Sequence, residues 1–103
     1  MHLPSGLEAT PYLPASYRLT EHARQRMSHR GISLEALCAA FHFGRVSTMP
    51  GGAEVFLVGR REVADARSQG FDLSAYEGVQ VVCSMRGHVL TAYHCRRRRR
   101  LRC

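Results

Sequence analysis

Two segments in the first half of the chain space their apolar residues as helices do. Residues 21–30, EHARQRMSHR, carry Ala23 and Met27 about one helical turn apart, with polar residues around them. Residues 34–43, LEALCAAFHF, repeat apolar residues at i, i+3, i+4 and i+7. The pattern therefore predicts two short helices that pack as a pair. Their predicted boundaries are residues that cap or stop helices, namely Thr20, Gly31, Ser33 and Gly44.

The hydrophobic period changes in the remainder of the chain to one that favours strands. Residues 44–49, GRVSTM, and 53–59, AEVFLVG, flank a PGG turn, and residues 60–70, RREVADARSQG, return to helical spacing. Residues 79–84, VQVVCS, and 88–94, HVLTAYH, are joined by MRG, which indicates a tight hairpin. This order predicts an α+β domain with two N-terminal helices packed on a curled antiparallel sheet of about four strands, and one further helix inserted before the last hairpin.

The last predicted strand has side chains of mixed polarity on both faces. Regular alternation puts Thr91 and Tyr93 on one face, and Leu90 and His94 on the other. Which face meets the helices stays open at this point. Across the predicted elements, the residues expected to be buried are Met27, Leu37, Phe41, Phe56, Val58, Val81 and Leu90.

The two ends of the chain differ in composition from its middle. Residues 1–17 hold three of the four prolines and are predicted to be a flexible arm, while residues 95–103 form an arginine-rich tail. Residues 18–94 are then a single globular domain. The chain has no apolar run of membrane-spanning length, its first residues do not resemble a secretory signal, and its four cysteines show no CxxC spacing. We therefore expect a cytoplasmic protein with no membrane partner, no cofactor and no metal site.

The positive charge of the chain is concentrated at one end. The net charge is +7, all 15 basic residues are arginine, and six of these lie in the tail. The chain outside the tail has nine arginines against eight acidic residues, so it is almost neutral. Arg96, Arg97 and Arg98 are candidate phosphate contacts, because clustered cations bind nucleic-acid backbones without reading sequence. A solvated end with no ligand is the alternative interpretation.

The first predicted helix carries a stripe of residues that can bind phosphate and move protons. His22, Arg26 and His29 are spaced by four and three residues, beside the apolar Ala23 and Met27. Histidine exchanges protons near neutral pH, and arginine offers two parallel donors to a phosphate. Such a stripe has the groups needed for RNA cleavage by the 2′-hydroxyl of the RNA itself.

The candidate catalytic set takes its remaining groups from the last strand. In this hypothesis His22 is the acid–base group, Arg26 the phosphate cation, and Tyr93 or His94 the second proton-transfer group. Two alternatives stay open: a non-catalytic nucleic-acid-binding module and a protein-interaction domain that binds an antitoxin-like partner. Each candidate residue also has an ordinary structural interpretation, as a solvated helix residue or a common strand residue.

Three segments resemble a bacterial family known as domain of unknown function 4258. They are LTEHARQRMSHRGIS at 19–33, FLVGRREVADARSQGFDLSAYEGVQVVCS at 56–84, and GHVLTAYH at 87–94, the last two resembling a longer subgroup of the family. The resemblance covers about residues 18–94. Its helix and strand motifs correspond to His22, Ala23, Arg24, Arg26, Met27, Arg30, Gly31, Thr91, Ala92 and Tyr93.

The resemblance implies the small-ribonuclease fold of RelE-type and barnase–colicin-type toxins. It implies an RNA-cleaving toxin, or a relative that kept the fold and lost the chemistry. The implied partners are RNA, either ribosome-associated or tRNA, and an antitoxin or immunity protein. Toxins of the RelE type also use lysine at their sites, and this chain has none. The phosphate contacts would then fall to arginines of the domain, namely Arg18, Arg24, Arg26, Arg30 and Arg86.

Overall fold

The computed structural model describes residues 17–95. The predicted flexible arm therefore lies outside the described residues, except for Tyr17, and so does the arginine tail beyond Cys95. No helix of the described range is long and apolar enough to cross a membrane. The helices are α1 (Glu21–Arg30), α2 (Leu34–Phe43) and α3 (Arg60–Ser68), and the strands are β1 (Arg18–Leu19), β2 (Arg45–Thr48), β3 (Glu54–Leu57), β4 (Val79–Cys83) and β5 (His88–His94).

The first two helices begin at the predicted capping residues. The hydroxyl oxygen of Thr20 accepts a hydrogen bond from Ala23 N at 3.1 Å, and that of Ser33 accepts one from Ala36 N at 3.1 Å. Helix α1 ends at Gly31 in the left-handed conformation, with φ at 66°. These local signals need no tertiary contact, which is why the sequence predicts both helices at their observed bounds.

The domain is α+β, with one open sheet in the strand order β1-β5-β4-β3-β2. Strands β2 to β5 form the predicted antiparallel meander, and α3 is the predicted insertion before the last hairpin. The predicted α+β class with two N-terminal helices packed on a sheet is confirmed, and the observed sheet has one strand more than the predicted four or so. A fifth strand, β1, pairs in parallel with β5 through Arg18–His88 and Leu19–Val89, so the sheet is mixed.

One hydrophobic core lies between the helices and one face of the sheet. Helix α2 buries five consecutive residues, Ala36 to Ala40, and the small alanines let it lie close to β3 and β4. Met27, Leu37, Phe56, Val58 and Val81 are buried as predicted, whereas Phe41 is partly buried and packs on the core. Leu34, the first apolar residue of the helical pattern in residues 34–43, is 36% exposed.

Leu90 was predicted to be buried and is 41% exposed, because β5 contains a β-bulge. Val82 pairs with Thr91 and Cys83 pairs with Val89, so Leu90 has no partner on β4. The extra residue shifts the alternation of the strand, and Val89 and Ala92 both face the core. The opposite side, called the outer face below, carries half-exposed residues of three neighbouring strands, namely Val55, Leu57, Gln80, Val82, Thr91 and Tyr93.

Candidate active site

Helix α1 lies along the edge of β5 that β1 leaves uncovered. At the start of the helix, Thr20 Oγ1 donates to the carbonyl oxygen of Val89 at 2.7 Å. At its end, Arg30 donates to the carbonyl oxygen of Ala92 at 2.8 Å and to Thr91 Oγ1 at 3.2 Å. The helix is thus attached to β5 at both ends, and the side chains on its outer flank stand beside the outer face of the strand.

A groove of about 430 Å³ opens between this flank of α1 and the outer face of β5. It is lined by Thr20, His22, Arg26, Leu90, Thr91 and Tyr93. Three of the predicted catalytic residues, His22, Arg26 and Tyr93, therefore come together from opposite ends of the chain.

The lining of the groove suits an anionic ligand with an apolar part. Arg26 supplies a positive charge, no carboxylate lines the groove, and the hydroxyl groups of Thr91 and Tyr93 can donate hydrogen bonds. The hydroxyl of Thr20 already donates to Val89. His22 and Arg26 are both exposed, so a ligand can reach them without displacing other side chains. Leu90 adds an apolar surface, and a ligand that removes this surface from water gains binding free energy.

Arg30 is held behind Tyr93 rather than in the groove. Its guanidinium carbon stands 4.6 Å from the centre of the Tyr93 ring, a cation–π contact, while its nitrogen bonds to Thr91 and Ala92. Both hydrogen bonds come from its Nη1, one of the three guanidinium nitrogens, so Arg30 has a structural role and its role as a phosphate contact stays a prediction. The arginine fixes the position of the ring that forms one wall of the groove.

The fourth predicted catalytic residue does not line the groove. His94 comes after the bulge on the side of Ala92, and its Nε2 lies 3.0 Å from the carbonyl oxygen of Glu77. His29 is exposed on α1 and does not line the groove either. Tyr93 and His94 therefore lie on opposite faces of the sheet, as neighbouring residues of a strand do.

The other predicted nucleic-acid contacts lie outside the groove. Arg24 forms the one ion pair in the described range, with Glu21 at 3.9 Å, on the exposed surface of α1. Arg18, on β1, and Arg86, in the β4–β5 turn, are exposed near the Thr20 end of the groove. Arg96, Arg97 and Arg98 lie outside the described residues.

Sequence reasoning missed half of the groove lining. Thr20 was identified as a helix cap, Thr91 as a strand residue and Leu90 as a core residue. Only the bulge in β5 brings Leu90 and Thr91 to the outer face together.

Within residues 17–95, no three histidine, cysteine or acidic side chains are close enough to hold a metal ion.

Comparisons with known proteins returned no match: no family model, no curated protein and no solved structure is similar to this chain at a significant level.

Proposed function

We propose that the chain is a metal-independent endoribonuclease of the bacterial toxin type, acting in the cytoplasm. The observation that supports this proposal is the groove in which His22, Arg26 and Tyr93 meet. The three residues offer an imidazole, a guanidinium and a phenol, which can supply the general base, the cation and the general acid for 2′-hydroxyl attack on a phosphodiester. The resemblance of residues 19–33 and 87–94 to a toxin-like family points in the same direction.

In this proposal His22 acts as the general base. Its imidazole removes the proton of the 2′-hydroxyl, and the 2′-oxygen attacks the adjacent phosphorus. The bond between phosphorus and the 5′-oxygen breaks, leaving a 2′,3′-cyclic phosphate on one product. The phenol of Tyr93 donates its proton to the departing 5′-oxygen, so that the second product carries a free 5′-hydroxyl.

Arg26 binds the scissile phosphate. Its planar guanidinium donates two parallel hydrogen bonds to the non-bridging oxygens, whose negative charge grows in the transition state. The hydroxyl of Thr91, which accepts a hydrogen bond from Arg30, supplies a further donor in the groove. A lysine at position 26 would keep the charge but lose the bidentate geometry.

The test is cleavage of total RNA by the purified protein in the presence of EDTA. Wild-type protein should produce fragments with 2′,3′-cyclic phosphate ends. General acid–base help is typically worth about 10²–10⁴ in rate, so His22→Ala should slow cleavage by that order. Arg26→Lys should not restore the rate of the wild type.

His29→Ala is the matched control, because His29 lies on the same helix and is exposed but does not line the groove. It should cut RNA at nearly the wild-type rate. RNA left intact by the wild-type protein, or equal rates for His22→Ala and wild type, would contradict the proposal. Binding of RNA without cleavage would then favour the non-catalytic nucleic-acid-binding module.

A further inference from the structure

Two cationic or proton-carrying side chains stand side by side where the groove meets the edge of the sheet. Arg18 on β1 and His88 on β5 are register partners in the parallel pair, and both are exposed. The residues that follow them, Leu19 and Val89, pack on the core. Because strand side chains alternate, Arg18 and His88 both project from the outer face.

This pair is continuous with the groove. Arg18 lies two residues before Thr20, and His88 lies two residues before Leu90, and both of those later residues line the groove. At a rise of about 3.3 Å per residue, two residues along β5 cover about 7 Å, so one extended ligand can contact the pair and the groove together.

The backbone around the pair is firmly held. Arg18 N donates to the carbonyl oxygen of Gly87 at 2.8 Å, which attaches β1 to the hairpin turn. The Oγ of Ser84 accepts from the backbone N–H groups of Arg86 and His88, each at 3.2 Å. The two side chains thus start from a rigid frame, which reduces the entropy lost when a ligand binds.

The guanidinium of Arg18 and the imidazole of His88 are both available to a ligand. Within residues 17–95 neither Arg18 nor His88 has a carboxylate partner. The acidic residue nearest to Arg18 in sequence, Glu21, is paired with Arg24. Arg86, two residues before His88 in the turn, adds a further exposed positive charge.

We infer that Arg18 and His88 form a second phosphate subsite, which binds the phosphodiester next to the one held by Arg26 in the same RNA strand. The inference rests on the proposed function, because it takes the groove as the place of the scissile phosphate. Arg18 donates from its guanidinium and His88 donates from an imidazole N–H. The substrate is then an RNA strand long enough to occupy both subsites.

The experiment measures binding of fluorescein-labelled 2′-O-methyl RNA, which has no free 2′-hydroxyl and cannot be cut by the proposed reaction. Fluorescence anisotropy with a dinucleotide and a hexanucleotide separates one subsite from two. Arg18→Ala and His88→Ala should each weaken binding of the hexanucleotide and leave the dinucleotide unchanged. Arg18→Ala should also lower the slope of log K against log salt by about 0.7, the value for one phosphate contact in a single strand.

Arg61→Ala is the matched control. Arg61 is exposed on α3, whose buried residues Val63 and Ala66 belong to the core on the other side of the sheet. All variants are full-length and carry the same arginine tail, so the tail contributes equally to each. If Arg18→Ala and His88→Ala bind the hexanucleotide with the affinity and salt slope of Arg61→Ala, the second subsite does not exist.

The outcome of this experiment is independent of cleavage. A protein that binds in the expected way but leaves unmodified RNA intact would overturn the proposed endoribonuclease and support the subsite as part of a binding surface. A protein that cuts RNA with His22 dependence but shows no effect of Arg18 or His88 on binding would overturn the subsite alone.

Discussion

Replacing Arg30 by methionine should destabilise the domain more than any other arginine change on α1. Methionine keeps an unbranched apolar side chain beside the Tyr93 ring, although a shorter one, and removes the charge and the donors. The variant loses a hydrogen bond to a partly buried carbonyl oxygen, that of Ala92, and a second one to Thr91. Such bonds contribute about 0.5–1.5 kcal/mol each, and an exposed cation–π contact about 0.5–1 kcal/mol.

These contributions share one side chain and do not add fully, so we expect a loss of about 2 kcal/mol in the free energy of unfolding. Urea unfolding followed by circular dichroism measures it. Arg24→Met is the control on the same helix, because Arg24 has only an exposed contact with Glu21 at 3.9 Å. That pair is worth about 0.5 kcal/mol or less. Equal losses for the two variants would show that Arg30 does not attach α1 to β5.

The same variant has a consequence for activity. Without the guanidinium behind it, the Tyr93 ring can leave the wall of the groove, so the proposed cleavage should slow through kcat more than through KM. Arg30→Lys should recover part of the stability through hydrogen bonds to Ala92, but less of the activity, since lysine lacks the planar group that stacks on the ring. Recovery of both to the same extent would argue against a positioning role.

Three further predictions concern the core and its boundaries. Leu37→Ala should cost about 2–5 kcal/mol in urea unfolding, because Leu37 is fully buried; a loss below about 1 kcal/mol would contradict the packing of α2. Burial raises the pKa of the Cys83 thiol from 9.0 to about 12, so folding favours its protonated form, and stability should fall as pH rises from 9.0 towards 12. Cys83 should also resist iodoacetamide in the native protein, and rapid labelling at this residue would contradict its burial. Gly78→Ala should lower the melting temperature far more than Gly70→Ala, because a Cβ at Gly78 would overlap the carbonyl oxygen of Cys95, whereas Gly70 has open space. Both glycines have positive φ, so similar melting temperatures for the two variants would contradict this steric reasoning.

The elements that the sequence predicts well are those defined by neighbouring residues. Helix α1 follows from the cap at Thr20, the stop at Gly31 and the pair Ala23 and Met27, all within one segment. Strand β1 could not be predicted in the same way. It has only two residues, and its partner Val89 is 70 positions away from Leu19, so no local pattern reveals the pairing.

The residues of the candidate site also differ in how well the sequence predicts them. His22 and Arg26 stand out because their chemistry is visible in the sequence. The orientation of Leu90 and Thr91 depends instead on a β-bulge, and no residue type in β5 predicts that bulge. Regular alternation placed Leu90 with the core residues for this reason. The contact of Arg30 with Tyr93 was also invisible, since it requires α1 to lie against β5, and a basic residue at a helix end has several possible uses.

The attachment of α1 to β5 also determines when the groove can exist during synthesis. The contact between Thr20 and Val89 joins residues 69 positions apart, and that between Arg30 and Ala92 joins residues 62 positions apart. Contacts of such long range close large loops, and they cannot form before both partners have been synthesised. A chain still being translated already carries the capping residues of α1 and α2, but it has no groove until Tyr93 has emerged. If the groove cuts RNA, the ribosome that makes this protein is therefore not exposed to the completed site of its own product until synthesis has passed the last strand.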